Sequence, residues 1–418
     1  MESVFEESDS YAQRQTLKQR EIDLKGIEKS AVIKIIALTG IRRAGKSSIL
    51  ILFHQNLMKQ NKRAAYINLE DSRIKNTKDI LDRLLKWFGD SGYLLLDEIT
   101  SVHDWESWLA RNHEMLKGKL NLIVSSSRRN LVIPNRPLRG RILSYEIYPL
   151  SFKEFLEFKG ISIEKTTAGI GRLEKALNDY LVYGGFPEVV LIEDKTEKIK
   201  ILNSYFRDII GLDVAEIAKE NITIVELFGK YIIESSHFSA SKCLNFFKSL
   251  GYKIGKQSLL HLEKCSQESY LFFFSPIFSY NIKDRSQYPR KDYIGDTGLI
   301  YAVSGKKDMG KLFENAVYLE LRRRIKLNED INYWKNVEGK EVDFVIREGL
   351  KVREVMQVSY EMEDEKTKER EIQSLITCAH ELKCGEGIVI TKEKEGREIR
   401  NKIKITFIPL WKWLLYIR

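Results

Sequence analysis

Gly40-Ile41-Arg42-Arg43-Ala44-Gly45-Lys46-Ser47 fits G-x-x-x-x-G-K-[ST], and the apolar run at 31–38 before it reads as a buried strand. Glycines at 40 and 45 let the backbone curl so that several N–H groups point at one anion, above the positive end of the following helix. The motif therefore makes the backbone from Gly40 to Ser48 a phosphate cradle. It sends Lys46 to the β- and γ-phosphates of a nucleotide and gives the Ser47 hydroxyl a Mg2+ position. Ile49-Leu50-Ile51-Leu52-Phe53 supplies the apolar helix that such a loop opens.

Outward from this loop, Arg63 to Asn68 reads as a second strand, with Glu70 and Asp71 just beyond its C-terminal end, where ligands gather in open α/β sheets. Tyr93-Leu94-Leu95-Leu96 runs into Asp97-Glu98, an apolar strand ending in two carboxylates. Behind a phosphate loop, this pairing assigns Asp97 to Mg2+ through water and Glu98 to activation of the attacking water. Leu120 to Val124 ends in Ser125-Ser126-Ser127-Arg128-Arg129, so Ser125 is the candidate sensor of the γ-phosphate. Arg139 and Arg141 precede a further strand at 142–147. With Arg128 they are candidates for a charge-neutralising arginine, acting in cis or in trans. Strand and helix patterns alternate through 31–147, which predicts a parallel sheet with helices on both faces.

The chain has 418 residues, enough for two to four domains at ~100–200 residues each. Apolar residues make up 43% and charged residues 31%, with only seven prolines, which excludes a disordered or collagen-like chain. Lys and Arg total 69 against 59 acids, a net +10 that favours an anionic partner such as nucleic acid. Cys243, Cys265, Cys378 and Cys384 form no C-x-x-C pair, and no signal peptide is apparent, so reduced thiols and a cytoplasmic location are expected. The strongest apolar run, Leu271 to Phe278, is short and broken by Ser275-Pro276, so no membrane span is expected.

Thr39 to Ser47, Tyr66 to Asp71, Leu95 to Val102 with Trp105-Glu106, Leu138 to Arg141, Tyr148 to Phe155 and Tyr183 to Glu188 together resemble the prokaryotic, archaeal-type AAA+ ATPases. The resemblance covers nearly the whole chain. It implies an α/β multidomain fold: a P-loop AAA+ core at 1–150, a helical lid at 151–220, a winged helix at 221–304 and a PD-(D/E)xK nuclease-like domain at 305–418. It also favours Arg141 over Arg128, and brings self-association as a homo-oligomer without fixing a subunit count. Where that family usually has Thr-Gly-Ser after the sensor strand, this chain has Ser125-Ser126-Ser127. Its loop ends in Ser47 rather than the frequent Thr, which preserves the metal-binding oxygen.

Residues 151–220 are mainly helical in pattern, broken at Gly184-Gly185-Phe186-Pro187, a hinge or an inter-helix turn. Phe238 to Leu250 and Lys256 to Lys264 read as two helices across a turn. Lys253, Lys256, Gln257, Ser258 and His261 lie near the N-terminal half of the second, where a recognition helix meets DNA. Lys283, Arg285, Arg290 and Lys291 fit a basic wing. In the last domain Phe313 to Leu321 is a helix carrying Glu314 and Glu320. Glu341 to Ile346 and Val352 to Val358 are adjacent strands turning at Gly349. The nuclease resemblance implies a metal site of Glu320, Asp343 and a Glu-x-Lys. Here that last element reads Gln357-Val358-Ser359, so the site is vestigial and cleavage absent or very weak.

The expected function is an ATP-driven AAA+ switch using ATP and Mg2+ that binds double-stranded DNA and no membrane. The alternatives are an ATP-regulated metal-dependent nuclease and an ATP-dependent protein-interaction scaffold.

Overall fold

The structure, a computed structural model, describes residues 1–132, 136–362 and 364–416. Residues 133–135 of the expected first domain, and 363 and 417–418 of the expected last one, lie outside the described residues. The chain divides into two compact units, one of residues 1–149 with 268–270 and one of 150–267 with 271–418.

The first unit is built on strands β1 (Ile35–Thr39), β2 (Ala64–Asn68), β3 (Gly92–Asp97), β4 (Leu120–Ser126) and β5 (Ile142–Glu146). They form one sheet in the order β2-β3-β4-β1-β5, and every pairing is parallel. β1 and β4 are buried along their whole length, as interior strands covered on both faces must be. Around them Ile35, Ala37, Leu94, Leu96, Leu122 and Val124 pack against Leu81, Leu84 and Leu109 from the helices Ile80–Phe88 and Trp105–Met115. β1 begins later than the apolar run at 31–38 predicts. Ala31 instead ends a helix, Leu24–Ala31, whose start is capped by the Asp23 side chain accepting from the Gly26 N–H.

The N-terminal helix Glu2–Arg14 covers an edge of this sheet. β2 is the edge strand, and its outward N–H groups need acceptors. The Tyr66 N–H donates to Asp9 Oδ1 at 3.0 Å and the Asn68 N–H to Ser8 Oγ at 3.0 Å.

The second unit opens with the helices Phe152–Lys159, Thr167–Tyr183, Pro187–Leu191 and Lys195–Asp208. The first has a capping box, with Ser151 and Glu154 exchanging side-chain and backbone bonds. Gly184-Gly185 is a buried turn. The Gly185 N–H donates to Asp296 Oδ2 at 2.8 Å, the Gly298 N–H donates to Asp296 Oδ1 at 2.9 Å, and a Cβ on Gly184 would lie 1.7 Å from that oxygen.

The helices Ala240–Ser249 and Lys256–Glu268 follow, with a three-stranded antiparallel sheet of β6 (His237–Phe238), β7 (Phe272–Ser275) and β8 (Arg290–Ile294), in the order β6-β8-β7. The unit ends in a six-stranded sheet of β9 (Glu329–Lys335), β10 (Glu341–Glu348), β11 (Lys351–Ser359), β12 (Glu386–Thr391), β13 (Gly396–Arg400) and β14 (Ile403–Pro409). Its order is β13-β14-β12-β11-β10-β9. β12 runs parallel to both β11 and β14, and the helix Glu365–Glu381 supplies the crossover from β11.

Candidate functional site

Strand order builds the first site. β4 lies between β1 and β3, so the loop after β1, the acids after β3 and the serines ending β4 meet at the C-terminal edge of the sheet. The loop itself is tightly curled, with Gly40 at φ 154°, Arg43 at 72° and Gly45 at 95°. Gly40 is required by close approach as well, because a Cβ there would lie 2.0 Å from the Ile147 carbonyl oxygen. Lys46 opens the helix Lys46–Lys59 and is buried, its Nζ donating to the carbonyls of Gly40 (3.0 Å) and Ile41 (3.2 Å) and lying 3.5 Å from Glu98 Oε1.

Asp97 is 3% exposed and accepts from the Tyr66 hydroxyl at 2.8 Å and from the Ser125 hydroxyl. The Ser125 oxygen in turn accepts from the Glu98 N–H at 2.9 Å. Glu98 adopts φ 50°, a left-handed conformation uncommon outside glycine, and its Oε2 accepts from the Ser127 N–H at 3.0 Å. Burial raises the Glu98 pKa, with Asp97 adding to the rise and Lys46 and the Ser127 N–H working against it.

The structure thus brings Lys46, Asp97, Glu98 and Ser125 together, with Ser47 exposed at the head of the loop helix. The Ser125 hydroxyl donates to Asp97 and accepts from the Glu98 N–H, so it fastens the two acids together. Arg42 pairs with Glu70 at 3.2 Å, joining the loop to the end of β2. Tyr66 is a site residue that strand reading passed over. Its place two residues before the end of β2, beside β3, is the signal that points it at Asp97.

Arg141 stands elsewhere. Its carbonyl accepts from the Ile35 N–H, and β5 pairs with β1 from Ile142 opposite Ile35 to Glu146 opposite Thr39. It therefore lies at the N-terminal edge of the sheet, about 13 Å of strand away from the loop, where it pairs with Glu114 at 3.3 Å. The register rules out Arg141 acting in cis. Arg128 follows β4 at the same edge as the loop.

In the second unit Lys256, Gln257 and His261 are exposed and Ser258 half-buried at the start of the helix Lys256–Glu268, and Lys253 is exposed in the turn before it. The expected basic wing is not formed as read. Lys283 and Arg285 sit on a short helix, Ile282–Gln287, Arg290 pairs with Glu263 at 2.6 Å, and Lys291 is buried.

Glu320 does not join Asp343. A six-residue step turns a helix by about 240°, so Glu320 faces Arg323 (3.2 Å) and Arg324 (2.8 Å) while Glu314 faces Asp343's cluster. Gln357 neighbours Asp343, accepting from its N–H at 3.3 Å, and its amide donates to Glu371.

A parallel sheet whose first loop is G-x-x-x-x-G-K-S and whose third strand ends in Asp-Glu defines a P-loop core of the AAA class, and the family model described as "AAA domain" matches residues 33–156. Models of two domains of unknown function, DUF8612 and DUF4143, match residues 174–310 and 309–413. The chain belongs to the same family as an uncharacterized protein of Methanocaldococcus jannaschii, which is 33% identical across 99% of this chain and 95% of its own length. An uncharacterized protein of Haemophilus influenzae is 28% identical across 79% of this chain and 83% of its own. Among solved structures, AMPPCP-bound DnaA from Aquifex aeolicus aligns with a TM-score of 0.29 and 15% identity, covering 62% of this chain and 91% of that one. Among the described residues no helix is long and apolar enough to cross a membrane.

Proposed function

We propose that this protein is an ATP-hydrolysing AAA+ switch. The observation that carries the reading is the convergence of Lys46, Asp97, Glu98 and Ser125 at one edge of the parallel sheet. Bound nucleotide would draw Lys46 from the loop carbonyls to its β- and γ-phosphates, with the backbone of Gly40–Ser48 donating around them. Ser47 and Asp97 offer a hydroxyl and a carboxylate, hard oxygen donors that fit Mg2+ completed by phosphate and water. When bound, that ion neutralises charge developing on the phosphates.

Glu98 takes a proton from the attacking water at a carboxylate oxygen, the resulting hydroxide adds to the γ-phosphorus, and the bond to the β–γ bridging oxygen breaks to give ADP and phosphate. Its raised pKa suits it to accept that proton. The Ser125 and Ser127 contacts hold Asp97 and Glu98 in place through the step. Arg141 is assigned to stabilising charge in trans, on a second copy. The test is ATP retention and turnover by the purified chain, with Lys46→Ala losing both.

The second part of the reading is a lid at 151–220, a winged helix at 221–304 and a non-cleaving nuclease-like domain at 305–418, in a cytoplasmic protein. Duplex DNA binding is supported by the exposed Lys256, Gln257 and His261 on a helix that follows another across a short turn, with the exposed Lys253 in that turn. ATP turnover measured with and without duplex DNA tests it, stimulation being the expected result.

A further inference from the structure

Lys291 lies on β8, the central strand of the three-stranded sheet, opposite His237 on one side and Ser275 on the other. A lysine in a basic wing would reach solvent, but this one is 4% exposed. Its ammonium stands among three carboxylates drawn from distant parts of the second unit, 2.6 Å from Asp343 Oδ1, 3.0 Å from Glu314 Oε1 and 3.1 Å from Glu341 Oε1. It donates to Asp343 and Glu314 and forms an ion pair with Glu341.

The cluster has outer contacts, among them His237 Nε2 at 3.4 Å from Glu341 Oε1. Asp343 Oδ2 accepts from the Val358 N–H at 2.8 Å, Glu314 Oε1 from the Tyr293 hydroxyl at 2.8 Å, and Glu341 Oε2 from Lys335 at 3.0 Å. Burial opposes charge on Lys291, yet Asp343, Glu314 and Glu341 outweigh it and hold its pKa well above the usual lysine range. The cluster lines a cavity of about 390 Å3.

Three carboxylates around one point are the ligand type of a divalent cation, and a nuclease-like domain implies such an ion. The residues present do not fit it. N···O separations of 2.6–3.1 Å suit an ammonium, whereas Mg2+ or Ca2+ needs oxygens at about 2.0–2.6 Å. No group of three His, Cys, Asp or Glu side chains among the described residues is arranged to hold a metal.

We infer that the Lys291 ammonium is the resident cation of this cluster, holding the place a divalent metal would take, so that the C-terminal sheet domain works without one. The inference does not depend on the ATPase reading of the first unit. It assigns the block to Lys291 as well as to the neutral Gln357: Gln357→Glu alone, which restores a carboxylate, leaves the ammonium in place and creates no metal site. Lys291→Met with Gln357→Glu removes the plug, and then a metal enters.

The probe is Mn2+, titrated by electron paramagnetic resonance into the nucleotide-free full chain, with Asp343→Asn as the control for site. The wild type and Gln357→Glu are expected to show no Asp343-dependent Mn2+. The double variant is expected to gain a site at least about tenfold tighter than any weak Mn2+ binding of the wild type, lost again on Asp343→Asn. Asp343-dependent Mn2+ in the wild type or in Gln357→Glu overturns the inference, as does a folded double variant that gains none. Should the double variant fold only in Mn2+, that requirement counts for the inference. If it folds under neither condition, the wild-type and Gln357→Glu titrations still decide.

Discussion

Tyr66→Phe tests whether Asp97 is positioned by its neighbours or merely present. The Tyr66 ring is buried, so phenylalanine keeps the packing and removes only the hydroxyl that donates to Asp97 Oδ2 at 2.8 Å. Burial and the Asp97 charge raise the Tyr66 pKa far above its usual range, so this hydroxyl keeps its proton and stays a donor at any working pH. A hydrogen bond to a charged acceptor contributes ~1.5–3 kcal/mol. Asp97 retains its Ser125 donor, which places the loss at the low end, near ~1.5 kcal/mol or about tenfold in an equilibrium constant. The assay is the Mg2+ dependence of ATP turnover at saturating ATP. Half-saturation should move to about tenfold higher Mg2+, with the maximal rate changed less. A folded Tyr66→Phe protein with an unaltered Mg2+ dependence would refute the idea that Tyr66 orients the metal-side carboxylate.

Gly40→Ala should cost more than ~2 kcal/mol, read as a lowered melting temperature, and abolish nucleotide binding, because the new methyl would sit 2.0 Å from the Ile147 oxygen. Asp296, 2% exposed, has its pKa raised by burial from 3.8 to about 7 against the pull of the Gly185 and Gly298 N–H groups. Between these values the folded chain holds a proton that the unfolded chain has released, so its contribution to stability falls as pH rises from about 4 to 7, by up to ~4 kcal/mol. Asp296→Asn should flatten that part of a denaturation-against-pH profile. If the helix beginning at Lys256 contacts phosphates, Lys256→Ala should weaken duplex binding equally for unrelated sequences and reduce the salt slope by about 0.9; an unchanged slope removes Lys256 from the interface.

What the sequence made legible was local. The phosphate loop, the Asp97-Glu98 strand end and the serine run each lie in a few consecutive residues, and a parallel sheet brings such strand ends to one edge by its topology. The features that escaped depend on pairing across long separations. Ser8 and Asp9 look like ordinary surface residues of a helix until β2 is known to be an edge strand with N–H groups to satisfy. Lys291 looked like a wing cation because its carboxylate partners lie 23 to 52 residues away. Glu314 and Glu320 could be separated only by helical phase against a fixed neighbour. Arg141 was near the right strand in sequence but at its wrong end for action in cis, a distinction that register alone makes. The Gly184-Gly185 turn was legible as a break, while its reason, the close approach of Asp296, was not.

The central claim is that Glu98 activates water beside a nucleotide held by Lys46. Glu98→Gln keeps the shape and the Ser127 contact of that side chain but cannot take a proton. Single-turnover measurement with radiolabelled ATP and Mg2+ should show the variant retaining intact ATP as tightly as the wild type, with release of labelled phosphate slowed by at least about a hundredfold. Phosphate release at the wild-type rate from Glu98→Gln would contradict the account.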